Sequence, residues 1–211
     1  DLKDGNFTLD IDKSGMVLDG KTLLGGVPTK LRWEEAFGHP VKVRRKYALE
    51  TSFTVETLKK MGLDVGHVFT GDVGAKLDVD GYDTGLQVIR GNFDLRRASV
   101  VVPFFAARKP VGAPAEARAT FVVGAGRLRS IDDIHLTSAV IEAKGGARFH
   151  PDGVTLKELK VESLRTGRQR LSATITGGAD GSKRGSITGA SLDAQAILKA
   201  RAKGGEDGGS M

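Results

Sequence analysis

Cysteine is absent from the 211 residues, which excludes disulfides, thiolate nucleophiles, iron–sulfur ligation and the common zinc knuckles together. The compartment stays open, because secreted and envelope proteins can do without disulfides. Aromatic residues are sparse at 6%. No window approaches the roughly 18 consecutive apolar residues of a membrane-spanning helix. The chain opens Asp1-Leu2-Lys3, with neither a methionine nor a signal sequence, and so reads as an excised piece. What is plentiful is glycine: 29 residues, about twice the usual share, which points to many turns joining many strands. Residues 1–203 read as a single β-rich segment, and the Gly-rich stretch 204–211 as a flexible tail.

The hydrophobic period is 2 almost throughout. Phe7, Leu9 and Ile11 alternate with Thr8, Asp10 and Asp12, and Val43, Tyr47, Leu49 and Phe53 share one face of a long run whose other face is polar. Similar alternation recurs at 73–80, 93–97, 117–123, 134–140, 156–161 and 171–176. Asp4-Gly5, Asp19-Gly20, Asp80-Gly81, Asp152-Gly153 and Asp180-Gly181 are expected to be hairpin turns. The expectation is a mainly β chain of about a dozen antiparallel strands with two short helices. One helix is predicted near 55–61, capped by Thr54 and stopped by Gly62; the other, near 192–203, starts from Ser191 and ends at Gly204.

A dozen strands ~18 Å long present on the order of 1,000 Å² on one face, of which two short helices cover about a third. The remaining apolar face must meet another part of the sheet or a ligand.

Catalytic motifs do not survive their context. Gly15 to Thr22 matches the phosphate-loop pattern letter by letter, but Gly25-Gly26-Val27-Pro28 forbids the helix whose amides would face the phosphates. Asp10 to Gly15 matches the first half of a calcium loop, yet the twelfth position is Lys21 where a glutamate is needed. Asp133 and His135 would share a strand face without a nucleophile beside them. The four histidines have no metal-ligand spacing, so the reading is non-enzymatic, without cofactor or metal. The net charge of +6 comes from dispersed clusters without the aromatic platforms of single-strand binders, which argues against nucleic acid. Strands expected to be mostly shorter than ~9 residues, with no aromatic girdles, argue against a transmembrane barrel.

Several stretches carry a family resemblance. Gly20-Lys21-Thr22-Leu23-Leu24-Gly25-Gly26 leads into Leu31-Arg32-Trp33-Glu34-Glu35, then Arg45-Lys46-Tyr47-Ala48-Leu49 and Met61-Gly62-Leu63. With the Pro103 segment, Lys109-Pro110-Val111-Gly112 and the closing Gly189-Ala190-Ser191-Leu192-Asp193, this order resembles the AsmA-like, YhdP-type envelope proteins of Gram-negative bacteria, a group similar to TamB and the bridge-like lipid transfer proteins. The resemblance implies a strongly curved, taco-like groove in a periplasmic protein tethered to the inner membrane. Its apolar side would take acyl chains and convey phospholipid towards the outer membrane.

On that implication the candidate groove-lining residues are Phe7, Leu9, Ile11, Leu77, Val79, Phe93, Leu95, Phe121, Val123, Ile134, Leu136, Leu171 and Ile175. The expected partners are phospholipid or fatty-acid chains, adjoining segments of a longer chain, and membrane through parts outside this sequence. The alternative is a closed β-sandwich serving as a protein-interaction or envelope-assembly module, with its alternating face buried against itself.

Overall fold

The computed structural model describes residues 2–38, 41–60, 69–102, 107–167 and 169–189. Fourteen strands form: β1 (Leu2–Ile11), β2 (Gly15–Leu24), β3 (Val27–Ala36), β4 (Arg45–Thr54), β5 (Phe69–Gly81), β6 (Leu86–Asp94), β7 (Ala98–Val102), β8 (Ala107–Lys109), β9 (Ala115–Gly124), β10 (Arg127–Ser138), β11 (Ile141–Phe149), β12 (Leu156–Thr166), β13 (Gln169–Gly177) and β14 (Lys183–Gly189). They pair antiparallel in the order β1-β2-β3-β4-β5-β6-β9-β10-β11-β12-β13-β14, with β7 and β8 branching from the start of β5. The sheet is not closed, and β1 and β14 are its two edges.

The described residues contain one short helix, α1 (Val55–Lys60), where two were expected; the helix predicted near 192–203 and the tail 204–211 lie outside the described residues. The amide of Thr57 donates to Thr54 Oγ1 at 3.1 Å, so Thr54 caps α1. The strands are longer than the sequence suggested: β5 has 13 residues and β10 has 12, because neither Asp-Gly nor isolated polar residues interrupt the ladders. Strand length therefore carries no argument against a barrel.

The turn chemistry differs from expectation at three Asp-Gly sites. Asp80-Gly81 ends β5, paired with Val88 and Gln87, and the β5–β6 turn is the following Tyr82 to Gly85. Asp19-Gly20 lies inside β2, opposite Arg32 and Leu31. Gly20 is needed there because a Cβ would run into the Asn6 carbonyl and the Phe7 ring of β1. The real β2–β3 turn is Gly25-Gly26, at φ of 59° and 86°, two successive left-handed residues that suit a tight two-residue hairpin. Asp4, at φ 50°, belongs to a register shift within β1 rather than to a turn. At 151–155 and 178–182 the aspartates do close turns: Asp152 Oδ1 accepts the amides of Val154 and Thr155, both at 2.9 Å, and Asp180 Oδ1 accepts from Ser182.

The branch β7–β8 extends the β6–β9 hairpin past a corner. Leu95 pairs with Ala115 through its amide, the chain turns at Arg96 and Arg97, and β7 then runs alongside Phe69 to Gly71. The buried Lys109 side chain holds this corner. Its ammonium donates to the carbonyls of Leu95, Arg96 (3.2 Å) and Ala98 (2.6 Å). Burial lowers its pKa, whereas three carbonyl acceptors favour the charged form. Val73, Leu95, Ala98, Val100, Ala115, Ile141, Leu164 and Leu171 pack together beneath this hairpin and make up the compact core.

Candidate functional site: an uncharged row across the sheet

Cross-strand register places Leu9, Leu18, Trp33, Tyr47, Val79, Ile89, Phe121, Ile131, Ala147, Leu159, Ile175 and Gly185 side by side, one from each main-path strand. With strands ~4.8 Å apart, twelve of them carry this uncharged row over on the order of 50 Å. Phe7, Gly20, Leu31, Leu49, Leu77, Gly91 and Ala119 form a parallel row on the same face. Beyond the β10 bulge it resumes as Ile134, Gly145, Val161, Ala173 and Ile187. Aromatic neighbours reinforce the face: Trp33 and Tyr47 rings lie 5.6 Å apart, and Phe93 meets Phe121 edge-on at 6.3 Å. Burial raises the Tyr47 pKa, as expected of a phenol set among apolar neighbours.

Polar groups bound this face on both long sides. One rim carries Glu35 and Arg45, paired at 3.1 Å, with Gln87 in the same row. The other carries Thr22, Thr29 and Thr51, whose hydroxyls are absorbed by Lys3, Val27 and Pro28 carbonyls, and then the β7–β8 hairpin. Among the described residues no second layer lies over the rest of the face, and most of its side chains are half-buried.

All thirteen candidates fall on this face by register, with different surroundings. Leu77, Val79, Phe121 and Ile175 stand in its uncovered middle, half-buried, and Ile134 beside them at the bulge. Leu9 and Ile11, on edge strand β1, are 53% and 65% exposed. Val123 lies in the rim row that starts at Ile11 and Met16, and Phe7 flanks Gly20. Leu95 and Leu171 are buried in the core cluster that also holds Ala98 and Val100 of β7, with Phe93 and Leu136 packed against it, so these four belong to the core of the fold. Alternation assigns a face; it carries no signal of what folds back over it.

Sequence reasoning missed Leu18, Leu31 and Trp33 as members of the face, because a turn at Asp19-Gly20 would have split β2. It also missed Ile89 and Ile131, which lay outside the alternating windows, and Leu159, which lay inside the 156–161 window but was not among the candidates.

The other face is charged, and its ions pair across strands: Lys30 with Glu50, Arg32 with Asp19, Arg90 with Asp80, and Arg165 with Glu142. Two depressions of about 760 Å³ and 370 Å³ lie on this charged side. The segment 15–22 with the phosphate-loop pattern is extended strand. Asp12 closes the β1–β2 turn by accepting from the amides of Ser14 (2.7 Å) and Gly15 (3.1 Å). Asp133 sits in a bulge at φ 54°, out of step with His135, whose Nε2 is 3.3 Å from Thr137 Oγ1. No group of three or more His, Asp or Glu suited to a metal occurs among the described residues.

Neither protein families, curated proteins nor solved structures offer a match to this chain. The geometry therefore carries the functional argument alone.

Proposed function

We propose that this chain is a non-catalytic lipid-binding segment of a periplasmic protein related to the AsmA-like, YhdP-type group. It conveys phospholipid between inner and outer membrane and supports outer-membrane integrity, with the inner-membrane tether outside this sequence. The observation that carries the reading is the unbroken uncharged row from Leu9 to Gly185 on a sheet that is not closed. The row runs on the order of 50 Å with its side chains mostly half-buried, and an occupant would take their remaining apolar surface out of water. Acyl chains fit, because each methylene that leaves water gains about 0.8 kcal/mol and neighbouring positions are chemically alike. In this reading the sheet curves around the chains and the headgroups stay in water beyond the Glu35–Arg45 rim. A lipid then moves along the row without meeting a charge, and no residue has to react.

The test is native mass spectrometry of the purified chain, followed by organic extraction and identification of lipids. Phospholipid at a defined ratio, displaced in a Phe121→Asp variant that still unfolds cooperatively, is the expected result. A chain that stays free of lipid after incubation with vesicles overturns the reading and favours the protein-interaction alternative.

A further inference from the structure

On the charged face three basic side chains meet beside one bulge of β10. His135 on β10 is the direct cross-strand neighbour of Arg118 on β9 and of Lys144 on β11, so the imidazole stands between two cations whose strands lie ~10 Å apart. Among the described residues neither Arg118 nor Lys144 has a carboxylate within ion-pair distance, in contrast to Lys30, Arg32, Arg90 and Arg165 on the same face. Of the acids that line the same depression, Asp132 accepts from Ser130 Oγ at 2.7 Å and Glu162 meets Lys160 at 3.7 Å, while Glu158 is the cross-strand neighbour of Arg148.

The backbone is shaped at the same spot. The β10 register shifts against both neighbours between Ile131 and His135, and the β11 register shifts against β12 between Lys144 and Gly145. Bulges re-aim side chains and gather next to binding sites. A Cβ on Gly145 would run into the Lys160 carbonyl, so glycine is what lets the strands approach there. Over these bulges lies the 370 Å³ depression, which Arg118, His135 and Lys144 all line. Asp133 shares it, on the bulge.

From the unpaired cations, the adjoining bulges and the depression they share, we infer that Arg118, His135 and Lys144 form a binding site for a phosphate-class oxyanion. The Arg118 guanidinium offers a planar fork to two oxygens, Lys144 a point charge, and His135 a ring N–H. The site lies on the face opposite the uncharged row, so it stands or falls independently of acyl-chain binding. The same chemistry is offered by free phosphate esters and by phosphate-bearing lipid headgroups.

Two arms separate these sources. In the first, the full chain is titrated with inorganic phosphate at low ionic strength and followed by amide chemical shifts. Saturable shifts centred on residues 118, 135 and 144 are expected, and Arg118→Gln and Lys144→Gln should each weaken binding about tenfold, as loss of one charge-assisted contact does. Lys30→Gln, which removes a paired cation of the same face, should leave it unchanged. In the second arm, phosphatidylglycerol vesicles are compared with phosphatidylcholine vesicles. Binding to the former that inorganic phosphate displaces assigns the site to a headgroup; no vesicle binding alongside saturable phosphate binding assigns it to a soluble ester. Both variants alter exposed strand positions, and the wild-type shift map tests the site even if one fails to fold. Absence of saturation in both arms, or saturation that survives both substitutions, overturns the inference.

Discussion

The Lys109 ammonium lies 2.6 Å from the Ala98 carbonyl oxygen while only 1% of the lysine is exposed, so at the β6–β7 corner backbone carbonyls take the place of water around it, with the Asp94 charge nearby. Replacing it with methionine keeps most of the volume and strands three carbonyls. Lys109→Met should lower stability by roughly 3 kcal/mol in urea denaturation, the cost of buried acceptors left unmade. A loss below about 1 kcal/mol would mean that water takes over the ammonium's role.

The covered and uncovered parts of the apolar face should respond differently to truncation. Ile141, 1% exposed beneath the β7–β8 hairpin, should cost about 3 kcal/mol as Ile141→Ala. Ile89, half-buried in the uncovered row, should cost about 1 kcal/mol, because less of its surface leaves water on folding. Equal losses at the two sites, measured by chemical denaturation, would show that something covers the row in solution.

Asp152 should tie the β11–β12 turn to acid pH. The Thr155 side chain and the amides of Val154 and Thr155 hold its carboxyl down at about 2, against an ordinary 3.8. A group depressed on folding contributes stability that is complete above its unfolded pKa and is lost as pH falls towards the folded one. The contribution should therefore fade between about pH 4 and pH 2. Asp152→Asn should flatten the acid limb of the stability profile in that window and leave the profile above it parallel to wild type.

Gly145→Ala should destabilise the chain by about 2 kcal/mol or more, because the new methyl meets the Lys160 carbonyl, a backbone atom that cannot swing aside. Gly74→Ala is the control: its Cβ would stand 3.6 Å from Asp94, an ordinary contact. Thermal unfolding of the pair checks the contrast.

What the sequence made legible was the two-residue rhythm. Leu77 with Val79, and Phe121 with Val123, each fall on one face because a strand allows nothing else. Residue-level turn signals were weaker, since Asp-Gly suits a hairpin, a bulge or a crowded strand equally. At Gly20 the deciding factor is Phe7, thirteen positions upstream in sequence and adjacent only after β1 and β2 pair. The burial of Leu95 and Leu171 was invisible for the same reason: it depends on where the β7–β8 hairpin comes to rest. The grouping of Arg118, His135 and Lys144 likewise exists only through register, since the three lie on three different strands.

Except for β6 with β9, every pairing along the main path joins strands consecutive in the chain. Apart from β4 with β5, which are joined through α1 and residues 61–68, these pairings close over loops of at most eight residues, so ordering can spread from a hairpin by zippering, without a long search for distant partners. Mechanically the same wiring has no central clamp. A force applied to the two edges would peel β1 or β14 first and then proceed strand by strand, until it reached the corner where β7 and β8 tie β5 to the far half of the sheet.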